Sequence, residues 1–133
     1  MRTDRVSQQE ENVRRSSEKH QADVHIWRNA DGMLLANVPH LVHHSPSGFE
    51  CGYCGSGPAD LALSIIGVFV PASADGSGVR LYKGQVCSRF AWAHHQAFKF
   101  EVIARLPRDG GTIRAADIHR WIADRAVDIT EEH

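Results

Sequence analysis

The sequence predicts an α+β fold in which a small antiparallel sheet packs against two or three helices. Two observations support this prediction. Short segments that alternate apolar and polar residues, as strands do, stand on both sides of a central apolar segment of helical length. The 133 residues, 42% of them apolar, are enough to bury a core without obligatory metals or disulfides. We expect a single domain over residues 23–129, with tails at residues 1–22 and 130–133.

The N-terminal tail, residues 1–22, mixes both charge signs and has almost no large apolar side chains. A segment with no apolar face gains little from packing, so we expect it to be mobile. It also lacks an apolar stretch of signal-peptide length. The longest apolar run, from Leu61 to Val70, is too short to span a bilayer, and three cysteines fit a reducing compartment. We therefore expect a cytoplasmic protein with no membrane partner.

The strands are predicted at three places. The segment from Asp23 to Trp27 alternates, residues 29–32 (Asn-Ala-Asp-Gly) favour a turn, and residues 33–37 form the returning strand of a hairpin. The third strand is predicted from Phe98 to Leu106, where every second residue is apolar. The stretch from Gln85 to Gln96 fits neither pattern well and stays open.

Two helices are predicted to cover the sheet. The first runs from Pro58 to Phe69 and is apolar on most sides, which indicates deep burial. Pro58 suits the first helical position, and Asp60 then falls in the first turn, where a carboxylate favours the helix dipole. The second helix, residues 115–126, carries one apolar stripe. The predicted core combines both helices with the third strand: Leu61, Ile65, Ile66, Phe69, Phe98, Phe100, Val102, Ile118, Trp121 and Ile122.

The most distinctive segment is the turn from Ser45 to Gly57, which is rich in Ser, Gly and Pro and leads directly into the apolar helix. Loops placed on a rigid element are frequent binding sites, so this turn is the candidate binding surface. In the competing, purely structural interpretation, the glycines make tight turns, the hydroxyls satisfy backbone groups and Asp60 caps the helix. The candidate binding residues are Ser45, Ser47, Tyr53, Ser56 and Asp60.

Catalytic and nucleotide-binding signatures are missing from the sequence. A glycine-rich loop entering a helix can hold an anion, but this turn has neither a P-loop Gly-Lys-Ser/Thr nor Rossmann spacing. A small hydrolase could combine histidines with Ser45, Ser47 and Glu50, although no Gly-x-Ser-x-Gly elbow is present. No catalytic residue is assigned. A net charge of -1 argues against a general nucleic-acid binder.

The cysteines raise the question of a metal. Cys51 and Cys54 have the C-x-x-C spacing of a zinc knuckle, and Cys87 with His44 would complete a four-ligand site. One C-x-x-C without a second pair is a weak signal, and small thiols also fill space beside tight turns. We expect no cofactor and no metal. A structural zinc is kept only as part of the alternative function, a small-ligand or anion-binding protein or a small hydrolase.

The segment HHSPSGFECGYCGSGPADLALSI, residues 43–65, is similar to the signature of a family of small uncharacterised bacterial and phage proteins, a domain of unknown function. Residues 96–104 and 118–122 also resemble that family, so the resemblance spans roughly residues 26–126. The chain departs from the signature at Cys51, where Trp is expected, and at Cys54, where Gly is expected. The resemblance brings no activity or cofactor; it implies a standalone accessory protein, often of mobile elements.

The function expected from these observations is a non-enzymatic binding protein that acts through the turn from Ser45 to Gly57. The resemblance suggests a phage or mobile-element accessory, such as an inhibitor of a host defence system, whose partner would be a protein component of that system. The alternative is a small-ligand or anion-binding protein, or a small hydrolase, that uses the same turn. A concave pocket beneath the turn would favour that alternative, whereas a flat turn would favour a protein partner.

Deleting residues 1–21 tests the predicted tail. Because the segment has no apolar groups to bury, the truncated protein should keep its thermal stability, with a melting temperature within about 3 °C of the full chain. Differential scanning calorimetry of both forms measures this shift. A larger drop would show that the segment packs on the domain.

Overall fold

The computed structural model describes residues 22–45, 47–73 and 77–131. These residues form two compact units, one of residues 24–113 and one that comprises residues 22–23 and 114–131. The predicted α+β class is confirmed: the described chain contains three α-helices, a three-stranded antiparallel sheet and a separate pair of short strands. The predicted N-terminal tail lies almost wholly outside the described residues, and the domain boundaries stay a prediction.

Among the described helices, none has the length and apolar character needed to cross a membrane.

The hairpin forms where it is predicted. Strand β1 (Val24–Arg28) pairs antiparallel with β2 (Leu34–Ala36), with Ile26 opposite Ala36. The Asn29 side chain closes the turn, because its Oδ1 accepts hydrogen bonds of 2.9 Å from the backbone N–H groups of Asp31 and Met33. On β1, Val24 and Ile26 are buried while His25 and Trp27 are exposed, which is the alternation of a half-buried strand.

The predicted third strand, from Phe98 to Leu106, is wrong. Helix α2 (Arg89–Glu101) occupies the first part of this segment and a 3-10 helix (Ile103–Arg105) most of the rest. The Ser88 hydroxyl starts α2 by accepting the Ala91 N–H at 3.0 Å. Phe98 is 1% exposed and Phe100 is 55% exposed, so the two side chains do not share one face as they would on a strand.

Strand β5 (Gly110–Ile113) takes the third place in the sheet, on the other side of β1 from β2. Its pair of glycines is typical of a turn, which is why the sequence does not reveal the strand. Gly110 has φ +100, and a Cβ there would lie 2.2 Å from the Ile26 carbonyl oxygen. Only glycine therefore allows the chain to enter the sheet this close to β1.

Helix α1 (Ser56–Phe69) begins two residues before Pro58, and all residues from Gly57 to Ile66 are buried. It packs on α2, which closes the core of the larger unit. Two short strands, β3 (Val79–Arg80) and β4 (Val86–Cys87), flank a 3-10 turn at Tyr82–Gly84.

Helix α3 (Ala115–Glu131) belongs to the second unit. The Asp23 carboxylate accepts its Ala115 N–H at 2.8 Å. The helix extends past the predicted end at residue 126, and Ile118 on it is buried, at 1% exposure.

The two phenylalanines of α2 test its helical assignment. Phe98→Ala should lower the free energy of unfolding by about 3–5 kcal/mol, because it empties a buried site. Phe100→Ala should change it by no more than about 1 kcal/mol, because the side chain is exposed. Urea denaturation measures both values. Equal and large losses of unfolding free energy would contradict the helix and support the strand assignment, in which both rings point into the core.

Candidate functional site

A single buried carboxylate organises the chain before the turn. Asp60 lies in α1 and is fully buried. Its oxygens accept backbone N–H hydrogen bonds from His44 at 2.7 Å, Ser45 at 2.9 Å and His43 at 3.2 Å, and the His40 ring Nε2 lies 3.0 Å away. Residues 40–45, here called the histidine loop, therefore wrap around one side chain.

The charge of Asp60 persists because of these contacts. Burial opposes ionisation of the carboxyl, but the hydrogen bonds from the His44 backbone and the His40 ring outweigh burial and hold the pKa of Asp60 below its ordinary value. Asp60 is the fifth residue of α1, beyond the first turn in which the sequence placed it. It does not cap α1, since Gly55 stands at that position. The side chain positions the loop from inside and presents no surface of its own.

Polar side chains from two other elements hold the same loop. The Ser64 hydroxyl of α1 accepts the Leu41 N–H at 2.7 Å. Gln85, between the short strands, accepts the Val42 N–H through Oε1 at 2.8 Å and donates Nε2 to the His40 carbonyl at 3.1 Å. The backbone of the histidine loop is thus satisfied by side chains on both sides, which fixes its path.

The end of the loop contacts α2 through aromatic rings. The Nε2 atoms of His44 and His95 lie 3.1 Å apart, and His95 Nδ1 lies 2.8 Å from the Trp92 carbonyl oxygen. The His43 ring meets the Trp92 ring edge-on, with 4.6 Å between centroids. Burial lowers the pKa values of His44 and His95, and neighbouring histidines lower them further, so both rings are neutral at pH 7.

The second half of the turn is fastened to the sheet and to the chain between α2 and β5. Glu50 forms an ion pair with Arg28 on β1, with 2.7 Å between the closest atoms. The buried Cys51 thiol donates to the Pro107 carbonyl at 3.2 Å, and the Gly52 N–H donates to the Ile103 carbonyl at 3.1 Å.

Beyond these contacts the turn faces outward. Ser47, Tyr53, Cys54 and Ser56 are exposed, and we call these four residues the outer rim. The Tyr53 ring, 42% exposed, lies between two supports. Arg108 holds its guanidinium 5.1 Å from the ring centroid, and a Cβ on Gly55 would come within 2.7 Å of a ring carbon. An aromatic side chain is thus exposed to solvent and held in place at the same time.

The five predicted site residues therefore separate into an outer and an inner group. Ser47, Tyr53 and Ser56 lie on the outer rim, Ser45 is half-buried, and Asp60 is buried below the histidine loop. Sequence reasoning did not find the residues that fix the loop and the turn from other elements. These residues are Arg28, Gln85, Trp92 and His95. For this set, one signal was present in the sequence, the paired histidines at 43–44 and 94–95, which points to His95.

The other sequence candidates do not converge. Glu50 binds Arg28 rather than a histidine, so the predicted hydrolase set of Ser45, Ser47 and Glu50 lacks its carboxylate–histidine contact. Within residues 22–45, 47–73 and 77–131, no group of three or more His, Cys, Asp or Glu side chains could hold a metal ion. The metal candidates Cys51, Cys54, Cys87 and His44 are accordingly not gathered into one site, and all three thiols are free.

Comparison with known proteins gives one match. A family model described as a family of unknown function (DUF6166) matches residues 15–124, which agrees with the resemblance to a domain of unknown function. No curated protein and no solved structure matches the chain.

Replacing Asp60 tests its role as the anchor of the histidine loop. Asp60→Ala should lower the free energy of unfolding by about 3–5 kcal/mol, because it leaves several buried donors without an acceptor. The exposed Asp124→Ala should change it by no more than about 0.5 kcal/mol. Chemical denaturation at pH 7 measures both, and similar small effects would contradict the anchor.

The stability should also depend on pH through this group. Because the folded-state pKa of Asp60 is lowered, its contribution is present above the unfolded carboxyl value of about 3.9 and is lost as the pH falls through the folded pKa. The difference in unfolding free energy between the wild type and Asp60→Ala should therefore shrink in acid below about pH 4.

Proposed function

The chain belongs to the DUF6166 family of unknown function, and we propose from the geometry of its turn that it is a non-enzymatic binding protein that recognises a protein partner. The surface used is the outer rim of the turn from Ser45 to Gly57. The observation that carries the proposal is the exposed but supported ring of Tyr53, on a turn that contacts of Glu50, Cys51 and Gly52 fasten from inside.

Tyrosine on such a turn suits protein recognition for two physical reasons. An exposed ring with a hydroxyl offers both apolar area and a hydrogen bond, which is why tyrosine is enriched at protein interfaces. A turn already held by Glu50–Arg28 and by the Cys51 and Gly52 contacts loses little conformational entropy on binding. Ser47 and Ser56 would add hydroxyls at the edge of the same surface.

The rival class, a small-ligand site or hydrolase at the turn, has less support. One cleft among the described residues, of about 150 Å³, lies away from the turn, because none of the residues 45–57 lines it. Its walls come from α1, β4 and neighbouring loops: Pro39, Leu41, Ser64, Gly67, Val68, Pro71, Ala72, Val86 and Cys87. The nearby carboxylates are already engaged, Glu50 by Arg28 and Asp60 by the backbone N–H groups of residues 43–45, so neither is free to orient a histidine beside a hydroxyl of the turn.

The biological setting that we propose is that of a phage or mobile-element accessory in the cytoplasm, for example an inhibitor of a host defence system. This setting follows from the resemblance of residues 43–65 rather than from the geometry. The partner would then be a protein component of the defence system.

Tyr53→Ala is the direct test, and Tyr82→Ala is its matched control. Tyr82 is 54% exposed and has a Lys83 cation 5.6 Å from its ring centroid, so it matches Tyr53 in exposure and cation contact. Tagged wild-type and variant proteins capture partners from host lysate, and the affinity for the captured protein is then measured by calorimetry. Tyr53→Ala should weaken binding at least about tenfold at an unchanged melting temperature, while Tyr82→Ala binds as the wild type does.

Three outcomes would contradict the proposal. Loss of binding that only follows loss of stability would assign Tyr53 to the scaffold. Equal binding by both variants would move the interface away from the outer rim. Stabilisation of the wild type by inorganic phosphate, abolished in Ser56→Ala, would favour the anion-binding alternative instead.

A further inference from the structure

We infer that the contact between His44 and His95 is a pH-sensitive lock, which fastens the end of the histidine loop to helix α2 at neutral pH and releases it in mild acid. This inference concerns the loop alone and does not depend on what the outer rim binds. It rests on the positions of the two rings, on the Trp92 carbonyl and on the separate anchor at Asp60.

The ring positions identify a hydrogen bond. The Nε2 atoms are 3.1 Å apart and the ring centroids 5.3 Å apart, with 30° between the ring planes. The centroid distance exceeds the Nε2 distance by about one ring diameter, so the two Nε2 atoms lie between the rings, close to the line that joins them. One proton between two nitrogen atoms explains the arrangement.

The carbonyl of Trp92 decides which nitrogen carries that proton. A carbonyl oxygen only accepts, so the contact of 2.8 Å requires a hydrogen on His95 Nδ1. In the neutral ring, His95 Nε2 is then an acceptor, and His44 Nε2 must be the donor. The Gln96 side-chain amide, whose nitrogen lies 3.5 Å from His44 Nε2, must then turn its oxygen toward that N–H, because an amide nitrogen cannot accept and the two amide orientations are interchangeable. The neutral pair thus has one specified tautomer on each ring, and His44 Nδ1 carries a lone pair.

Acid breaks this bond in two steps. A first proton can bind to His44 Nδ1, which leaves His44 Nε2 still donating to His95. A second proton must bind to His95 Nε2, and two N–H groups then face each other across 3.1 Å with two positive rings. That state has no hydrogen bond and repels, so the rings must separate.

The charged groups around the pair act in both directions. Lys99 on α2 and His43 in the loop disfavour positive charge on the His44 ring, and His43 does the same for His95. Asp60 on α1 favours positive charge on both rings. Burial, which disfavours the charged form, is the largest influence on each ring, and the net effect lowers both pKa values. The pair is therefore neutral, and the lock closed, through the neutral pH range.

Release is confined to the end of the loop because Asp60 stays ionised. Its pKa is lowered from the ordinary carboxyl value of about 3.9, so at pH 5 it is still ionised and accepts the N–H groups of residues 43–45. Mild acid would thus free the His44 ring and uncover His95 and Trp92 without unfolding the loop.

Imidazole NMR of the full chain, in buffer with a chelator, tests the lock between pH 8 and pH 5. At pH 8 the nitrogen shifts should show the Nδ1–H form of His95 and the Nε2–H form of His44. Both rings should titrate with midpoints below about 6.5, and the Trp92 indole resonance should follow the lower of them. Titration of both rings near the ordinary value, with an unmoved Trp92 resonance, would overturn the inference.

His95→Gln separates the lock from simple protonation. A glutamine offers a neutral acceptor to His44 at every pH, so the Trp92 resonance should lose its response to acid while the loop stays closed. His25→Gln, which removes an exposed histidine on β1, should leave the response as in the wild type. If His95→Gln does not fold, His44→Gln should remove the same response. A response that persists in these variants would assign the movement of Trp92 to groups outside the pair and overturn the lock.

Discussion

The arrangement of the candidate site depends on one requirement, that the ionised carboxylate of Asp60 be satisfied inside the protein. A buried charge without partners is too costly to keep, so the chain must bring donors to it. Three successive N–H groups of residues 43–45 and the His40 ring meet this need. The path of the histidine loop follows, because the backbone that satisfies the carboxylate has little freedom to go elsewhere.

This requirement also explains why the turn has separate inner and outer residues. Helix α1 is buried along residues 57–66, so it offers a rigid base on which the polar turn can be held. The polar groups on the inner side of the turn and in the histidine loop form hydrogen bonds or an ion pair inside the protein. Their partners are Asp60, Ser64, Gln85, Arg28 and the Pro107 carbonyl. What remains exposed is the outer rim, with Tyr53 as its large side chain, and this is the surface that the proposed function assigns to a partner.

The histidine pair adds a second attachment to the same loop. The Asp60 contacts combine charge with backbone donors and persist into acid, whereas the contact between His44 and His95 depends on a single proton. Two attachments with different pH ranges let one loop keep its path while one end of it moves. The rings of His43 and Trp92 lie beside this contact, so a change there alters an aromatic surface.

The sequence by itself determined the fold class, the hairpin and the buried helix that contains Pro58, and it singled out the turn as a candidate surface. Each of these has a local cause: alternation, the Asn-Ala-Asp-Gly turn, a continuous apolar segment, and a cluster of Gly, Ser and Pro. The tertiary structure decided the rest. Residues 98–106 fold as the end of α2 and a 3-10 helix, which buries Phe98 and Ile103 and leaves Phe100 exposed. A Gly-Gly segment becomes a strand because β1 has a free edge. The donors for Asp60 lie 15 to 20 residues away, and His44 meets His95 across 51 residues. No local pattern records such contacts, since they exist only once α1 and α2 have packed and made the carboxylate a buried charge.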